Sequence, residues 1–153
     1  MKNNQEIKEA AYIYCKEFVF GRISRLKKQI SEIGKALTSE TKSSAGDKHE
    51  TGRAMLQLER EKIGVQLANA ENMQGLLNKV RVDGGTGSIA IGTLVYTTAA
   101  NYYIAISAGE FRVDGVVVYC ISPATPIGKL LLGKMKDDEF TFNGKTHRIE
   151  AVY

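Results

Sequence analysis

The chain has 153 residues, which allows one ordinary domain or two small ones and leaves little material for a deep core. Hydrophobic residues make up 43% of it and charged residues 25%, the balance of a folded chain rather than a disordered one. No apolar run approaches the roughly 20 residues that a bilayer requires, and the start MKNNQEIKEA is too polar for a signal peptide, so no membrane partner and a cytoplasmic location are expected.

The net charge of +4 sits in the first half: residues 1–80 carry 14 Lys and Arg against 10 Asp and Glu, whereas residues 81–153 carry 7 against 7. A weakly basic half suits a nucleic-acid partner and equally suits a solvated helical pair. Cys15 and Cys120 lie far apart with no C-x-x-C or Cys/His cluster, so they read as small buried hydrophobes rather than a disulfide framework or a zinc site.

From about residue 5 to residue 40 there is no proline, and the only glycines are Gly21 and Gly34. Val19, Ile23, Leu26, Ile30, Ile33 and Leu37 recur at the heptad spacing of a coiled-coil seam. Upstream, Ile7, Ala11, Cys15 and Phe18 continue an apolar stripe in a shifted phase, as expected where a helix docks on something other than a partner arm. At 1.5 Å per residue the first arm is on the order of 50 Å long.

The polar stretch TSETKSSAGDKHETG reads as a turn. Beyond it the heptad resumes with Leu56, Ile63, Leu67, Ala70 and Leu77, and Leu58, Val65, Met73, Leu76 and Val80 are expected to widen the stripe. Two such helices around a short turn bury their seams by lying antiparallel within one chain, which predicts a monomer. RVDGGTGS, residues 81–88, reads as a glycine-rich linker, after which the period changes from helical to alternating. IAIGTLVY, YYIAIS, FRVD and VVVYCIS read as strands, and Asp114-Gly115 and Asn143-Gly144 as hairpin turns. One short helix is expected after them, with Thr125 as N-cap, Pro126 in its first turn, Ile127, Leu130 and Leu131 on one face and Gly133 as the stop. The fold class is therefore α+β, an N-terminal antiparallel coiled-coil hairpin (1–80, acidic tip around 38–51), a linker (81–88) and a small β-rich domain with one short helix (89–153).

Three motif matches fail on context. Gly85 to Ala90 fits a dinucleotide fingerprint but follows a helix and opens a strand, the reverse of what that loop needs. GKLLLGKM has Met135 where a P-loop needs a hydroxyl, and His49-Glu50 lacks the second histidine of a zincin, since Arg53 stands there. The tip remains. Asp47 and Glu50, three residues apart where the second helix begins, fit a capping box; they equally fit two carboxylates presented on one face to a metal ion.

The order of parts resembles that of the bacterial Gre transcript cleavage factors over essentially the whole chain, as a divergent member. Gly46-Asp47-Lys48-His49-Glu50 resembles the family tip, a Gly-Asp pair followed three residues after the Asp by a Glu. Ser122-Pro123-Ala124-Thr125-Pro126-Ile127-Gly128, then Leu-Leu-Gly-Lys and Asp137-Asp138, resembles the family's C-terminal signature. Lys48, His49 and Thr51 depart from the usual hydrophobic residue, serine and asparagine of the tip, and Tyr12, Tyr14 and Phe18 do not match the common N-terminus.

The resemblance implies an FKBP-like C-terminal domain that docks on RNA polymerase, through Ser122, Pro123, Pro126 and Gly128, and a hairpin that enters the secondary channel. It implies that Asp47 and Glu50 help hold the second Mg²⁺ of the polymerase active site, so that backtracked RNA is cleaved by the polymerase's own nuclease activity; the chain is then no enzyme alone and binds no cofactor alone. Arg53 and Arg60, one heptad apart on the same helix face, and Lys48 are candidates for contact with the nascent RNA. Two alternatives stay open: a channel binder that modulates polymerase without cleavage, and a prolyl isomerase built on the FKBP-like domain, which the lack of tryptophan disfavours.

Overall fold

A computed structural model describes residues 1–42, 46–81, 85 and 87–153, with side chains for all of these but 41, 42 and 46–49. The fold is α+β: two long helices in a hairpin, α1 (Asn4–Lys42) and α2 (Gly46–Asn78), precede a six-stranded sheet with one short helix. The chain packs as two compact units, Val19–Gln74 and Met1–Phe18 with Gly75–Tyr153, and the division falls inside both long helices.

In the unit Val19–Gln74 the heptad seam does what its spacing predicts. Val19, Ile23, Leu26 and Ile33 are buried on α1, Ile63 and Ala70 on α2, and Ile30, Leu37, Leu56 and Leu67 are half-buried along the same line. Leu58 and Val65, expected to widen the stripe, are 56% and 63% exposed, and Met55 is 68% exposed. The reason is angular: a position two residues after a seam residue lies roughly 200° round the helix, on its far side. The helices also run further into the polar stretch than its composition suggests. Thr38 continues α1 because its hydroxyl bonds back to the Gly34 carbonyl at 3.0 Å, which satisfies it without leaving the helix.

In the second unit the strands are β1 (Leu94–Thr97), β2 (Asn101–Ile104), β3 (Gly109–Val113), β4 (Val116–Ile121), β5 (Glu139–Phe142) and β6 (Lys145–Val152), with α3 (Pro126–Leu131) between β4 and β5. Their order is β3-β4-β2-β1-β6-β5, antiparallel except for the parallel pair β2–β4. The expected strand IAIGTLVY begins only at Leu94. Before it, Gly92 takes φ 91°, a conformation a β-branched or bulky residue rarely adopts, and the chain turns there. Both expected hairpin turns form: Asp114 and Gly115 have φ 49° and 77°, Asn143 and Gly144 φ 53° and 77°, the paired left-handed residues of a tight hairpin turn.

Strand alternation gives the sheet two faces. On one, Ile89, Val95, Ile104, Leu131, Phe140 and Ile149 form a buried cluster with α3 packed against it. On the other, register aligns Leu94 with Tyr103 and Tyr103 with Cys120, all buried. The first turns of α1 meet this face through Ile7, Ala11 and Cys15, the stripe whose shifted phase foretold a separate docking surface.

Candidate functional site: the start of helix α2 and its surroundings

The helix α2 begins at Gly46, so Asp47 belongs to its first turn and not to the N-cap position ahead of it. The cap itself falls on residues outside those described, as do the side chains of Asp47, Lys48 and His49. What the backbone fixes is spacing: Asp47 and Glu50 share one turn of one helix, so they stand on the same face, near the end where the helix dipole favours negative charge. Glu50 is exposed.

Across from this turn lies an acid that the sequence reading did not single out. A Cβ placed on Gly52 would stand 3.6 Å from the carboxylate of Glu40, so the last turns of α1 bring Glu40 against α2 at Gly52. No sequence signal within either helix reports this contact, because it depends on the register between arms. Ala36, Glu40, Gly52, Met55, Leu56, Leu58, Glu59 and Lys62 line an open groove of about 670 Å³ beside it. Arg53 and Arg60 are both exposed, each three residues ahead of a seam residue, Leu56 and Ile63, and so flank the seam on one side.

The residues of the C-terminal signature have structural work of their own. The Ser122 carbonyl accepts from the Thr125 amide at 3.1 Å and its hydroxyl at 2.7 Å, and the Ser122 hydroxyl oxygen accepts from the Ala124 amide at 3.1 Å. Thr125 then caps α3 by accepting from the Gly128 amide at 3.1 Å, with Pro126 in the first turn where its missing N–H is harmless. Gly128 is required here, since a Cβ would collide with the Ser122 carbonyl and come within 2.9 Å of the Pro123 Cα. Asp138 closes the following turn, its carboxylate accepting from the Met135 amide at 2.8 Å. Ser122 and Pro123 are half-buried, Pro126 is exposed and Gly128 is buried.

Tyr12 and Tyr14, two of the aromatic residues near the N-terminus, have partners in the same unit. The Tyr12 hydroxyl donates to the Leu77 carbonyl at 3.2 Å, and that of Tyr14 to the Ala108 carbonyl at 3.0 Å, with its ring 5.0 Å from that of Phe111. Tyr96 donates to the Asn4 side chain at 2.9 Å. Burial raises the Tyr103 phenol above its usual value, with Cys15, Cys120 and Tyr12 adding to the effect, and its hydroxyl is buried without a hydrogen-bond partner among the described residues.

No family model matches the chain, and no curated protein matches it. A solved structure described as that of the transcription factor Gfh1 is similar at 20% identity, over 90% of this chain and 92% of that one, with a TM-score of 0.36. No helix among the described residues is long and apolar enough to cross a membrane.

Proposed function

We propose that this protein is a transcription factor of the Gre type that binds RNA polymerase, places the turn between α1 and α2 in the secondary channel and stimulates cleavage of backtracked RNA. The observation that carries the proposal is the placement of Asp47 and Glu50, one helical turn apart, at the start of α2, at the junction of two long paired helices. A helical hairpin with a heptad seam presents its junction residues without needing them for its own packing. Carboxylate oxygens are the hard donors that Mg²⁺ takes, and two of them are too few for its octahedral set, so the pair suits a site shared with polymerase residues. Bound there, Mg²⁺ would supply a lowered pKa for the attacking water and charge stabilisation for the leaving oxygen.

The residues of the chain itself have distinct parts in this reading. Asp47 and Glu50, one helical turn apart on α2, would share the metal. Arg53, Arg60 and Lys48 offer positive charge to the RNA backbone, a contribution that weakens with salt. The unit built on the sheet holds the protein on polymerase, with Pro126 exposed and Ser122, Pro123 and Gly128 shaping the turn that presents it. The chain is then no enzyme by itself, works in the cytoplasm as a monomer and binds no metal alone.

The test is RNA cleavage by a purified, stalled and backtracked polymerase complex with and without the protein. Shortened RNA that appears faster with the protein is the expected result. Binding to polymerase without any gain in cleavage would replace this reading with that of a channel-occupying modulator, which the positive Lys48 beside the acids favours. No binding at all would remove both.

A further inference from the structure

Two cysteines more than a hundred residues apart in sequence meet inside the unit of Met1–Phe18 and Gly75–Tyr153. Cys15 is wholly buried on α1 and Cys120 is 2% exposed on β4. The neighbourhood is fixed from both sides. Tyr14, next to Cys15, donates to the Ala108 carbonyl at 3.0 Å, and the Ala108 amide in turn donates to the Cys120 carbonyl at 3.1 Å. Register pairs Cys120 with Tyr103 on one side and with Gly109 on the other, so it sits in the sheet interior. The Cys15 thiol lies beside that of Cys120 and near the Ile106 backbone. Both are free thiols here.

We propose that Cys15 and Cys120 are an intrachain disulfide site, closed by a small-molecule disulfide such as oxidised glutathione, which ties the first helix covalently to the centre of the sheet. The reaction balances in two exchanges. One cysteine thiolate attacks a sulfur of the oxidant, breaking its S–S bond and releasing one glutathione thiolate, which takes up a proton. The second cysteine gives its proton to solvent and attacks the protein sulfur of that mixed disulfide; the Cys15–Cys120 bond forms and the second glutathione leaves. The two protein thiols lose two electrons and two protons, and two glutathione thiols carry them away.

The surroundings set when this happens. The neighbouring Cys120 thiol and burial both hold Cys15 as the protonated thiol, and the phenols of Tyr14 and Tyr103 share its surroundings. The pair is therefore unreactive while α1 is seated and reacts when its first turns lift from the sheet. Once formed, the bond closes a loop from residue 15 to residue 120, long enough to restrict the unfolded chain strongly.

The test uses the full chain, incubated with oxidised or reduced glutathione in sub-denaturing urea to accelerate opening, then read by intact mass and by peptide mapping without reductant. The expected product has lost two hydrogens, contains a linked Cys15–Cys120 peptide, stays monomeric and has no thiol left to alkylate. After removal of urea it should melt roughly 5–10 °C higher than the reduced protein, a gain reversed by dithiothreitol. Cys15→Ala and Cys120→Ala should each abolish the two-hydrogen loss, and the map of the parent protein decides the matter even if a variant folds poorly. Persistent glutathione adducts, a dimer linked between chains, or two thiols that remain alkylatable after the incubation would overturn the proposal.

Discussion

The two compact units put unusual residues to different uses. In the unit that includes the sheet, nearly every feature that stands out in the sequence has an internal partner: Thr125 and Gly128 build the turn into α3, Asp138 closes the next one, and Tyr12 and Tyr14 bond to backbone carbonyls. In Val19–Gln74 the seam accounts for the apolar residues, yet Glu50 and Arg60 stand exposed on α2 and the seam makes no use of them. A motif residue with a full set of internal contacts is explained by folding. A charged turn that packing does not require is where function is to be sought.

Substitutions should separate the two cases, beginning with the largest effect on stability. Leu77 is 1% exposed, and Leu77→Ala removes a packed side chain beneath the Tyr12 contact. The expected loss is about 2–5 kcal/mol, read from urea unfolding. Gly128→Ala should follow with about 1–3 kcal/mol, because the new Cβ meets backbone atoms of Ser122 and Pro123 that belong to a bonded turn. An unchanged melting temperature for Gly128→Ala would mean that the signature glycine serves docking and not the turn.

Tyr103→Phe is expected to act in the opposite direction, by about 1 kcal/mol, since it removes a buried hydroxyl that has no partner among the described residues. It should also blunt an alkaline loss of stability. The folded pKa of Tyr103 lies above the unfolded value of 10.0, so its protonated form contributes stability that is complete below pH 10.0 and is lost as pH rises toward the folded pKa. Melts at neutral pH and near pH 11 on both proteins measure this difference (the higher pH chosen as about one unit above the tyrosine reference). A Tyr103→Phe protein as alkali-sensitive as the parent would place the sensitivity elsewhere.

Much of this architecture is legible in the sequence because it is encoded locally. The 4-3 spacing from Val19 to Leu37 names the seam, Asp114-Gly115 and Asn143-Gly144 name their turns, and Thr125-Pro126 names the start of α3. Even the docking of the first helix turns is announced, by the change of phase at Ile7, Ala11 and Cys15. What could not be read are contacts set by tertiary register. Nothing near Cys15 announces Cys120, nothing near Gly52 announces Glu40, and hydrophobicity alone assigned Leu58 and Val65 to a stripe that helix geometry turns away from α1. The acidic pair is legible as a pattern, and its two meanings, helix-end charge and metal ligand, differ only in what lies beyond the chain.

That difference makes the carboxamide double variant the most direct measurement. Asp47→Asn with Glu50→Gln keeps side-chain shape and removes the charge a metal needs. Its stability should fall by about 1 kcal/mol at most, the smallest change of the series. Stimulated RNA cleavage in the backtracked complex should fall by about 100-fold or more, because a lost charged ligand removes several kcal/mol of transition-state stabilisation and each 1.4 kcal/mol is roughly tenfold. The variant should still bind polymerase and compete with the parent protein. Cleavage stimulated by the variant at the parent rate would contradict the account and leave Asp47 and Glu50 as charges that favour the start of a helix.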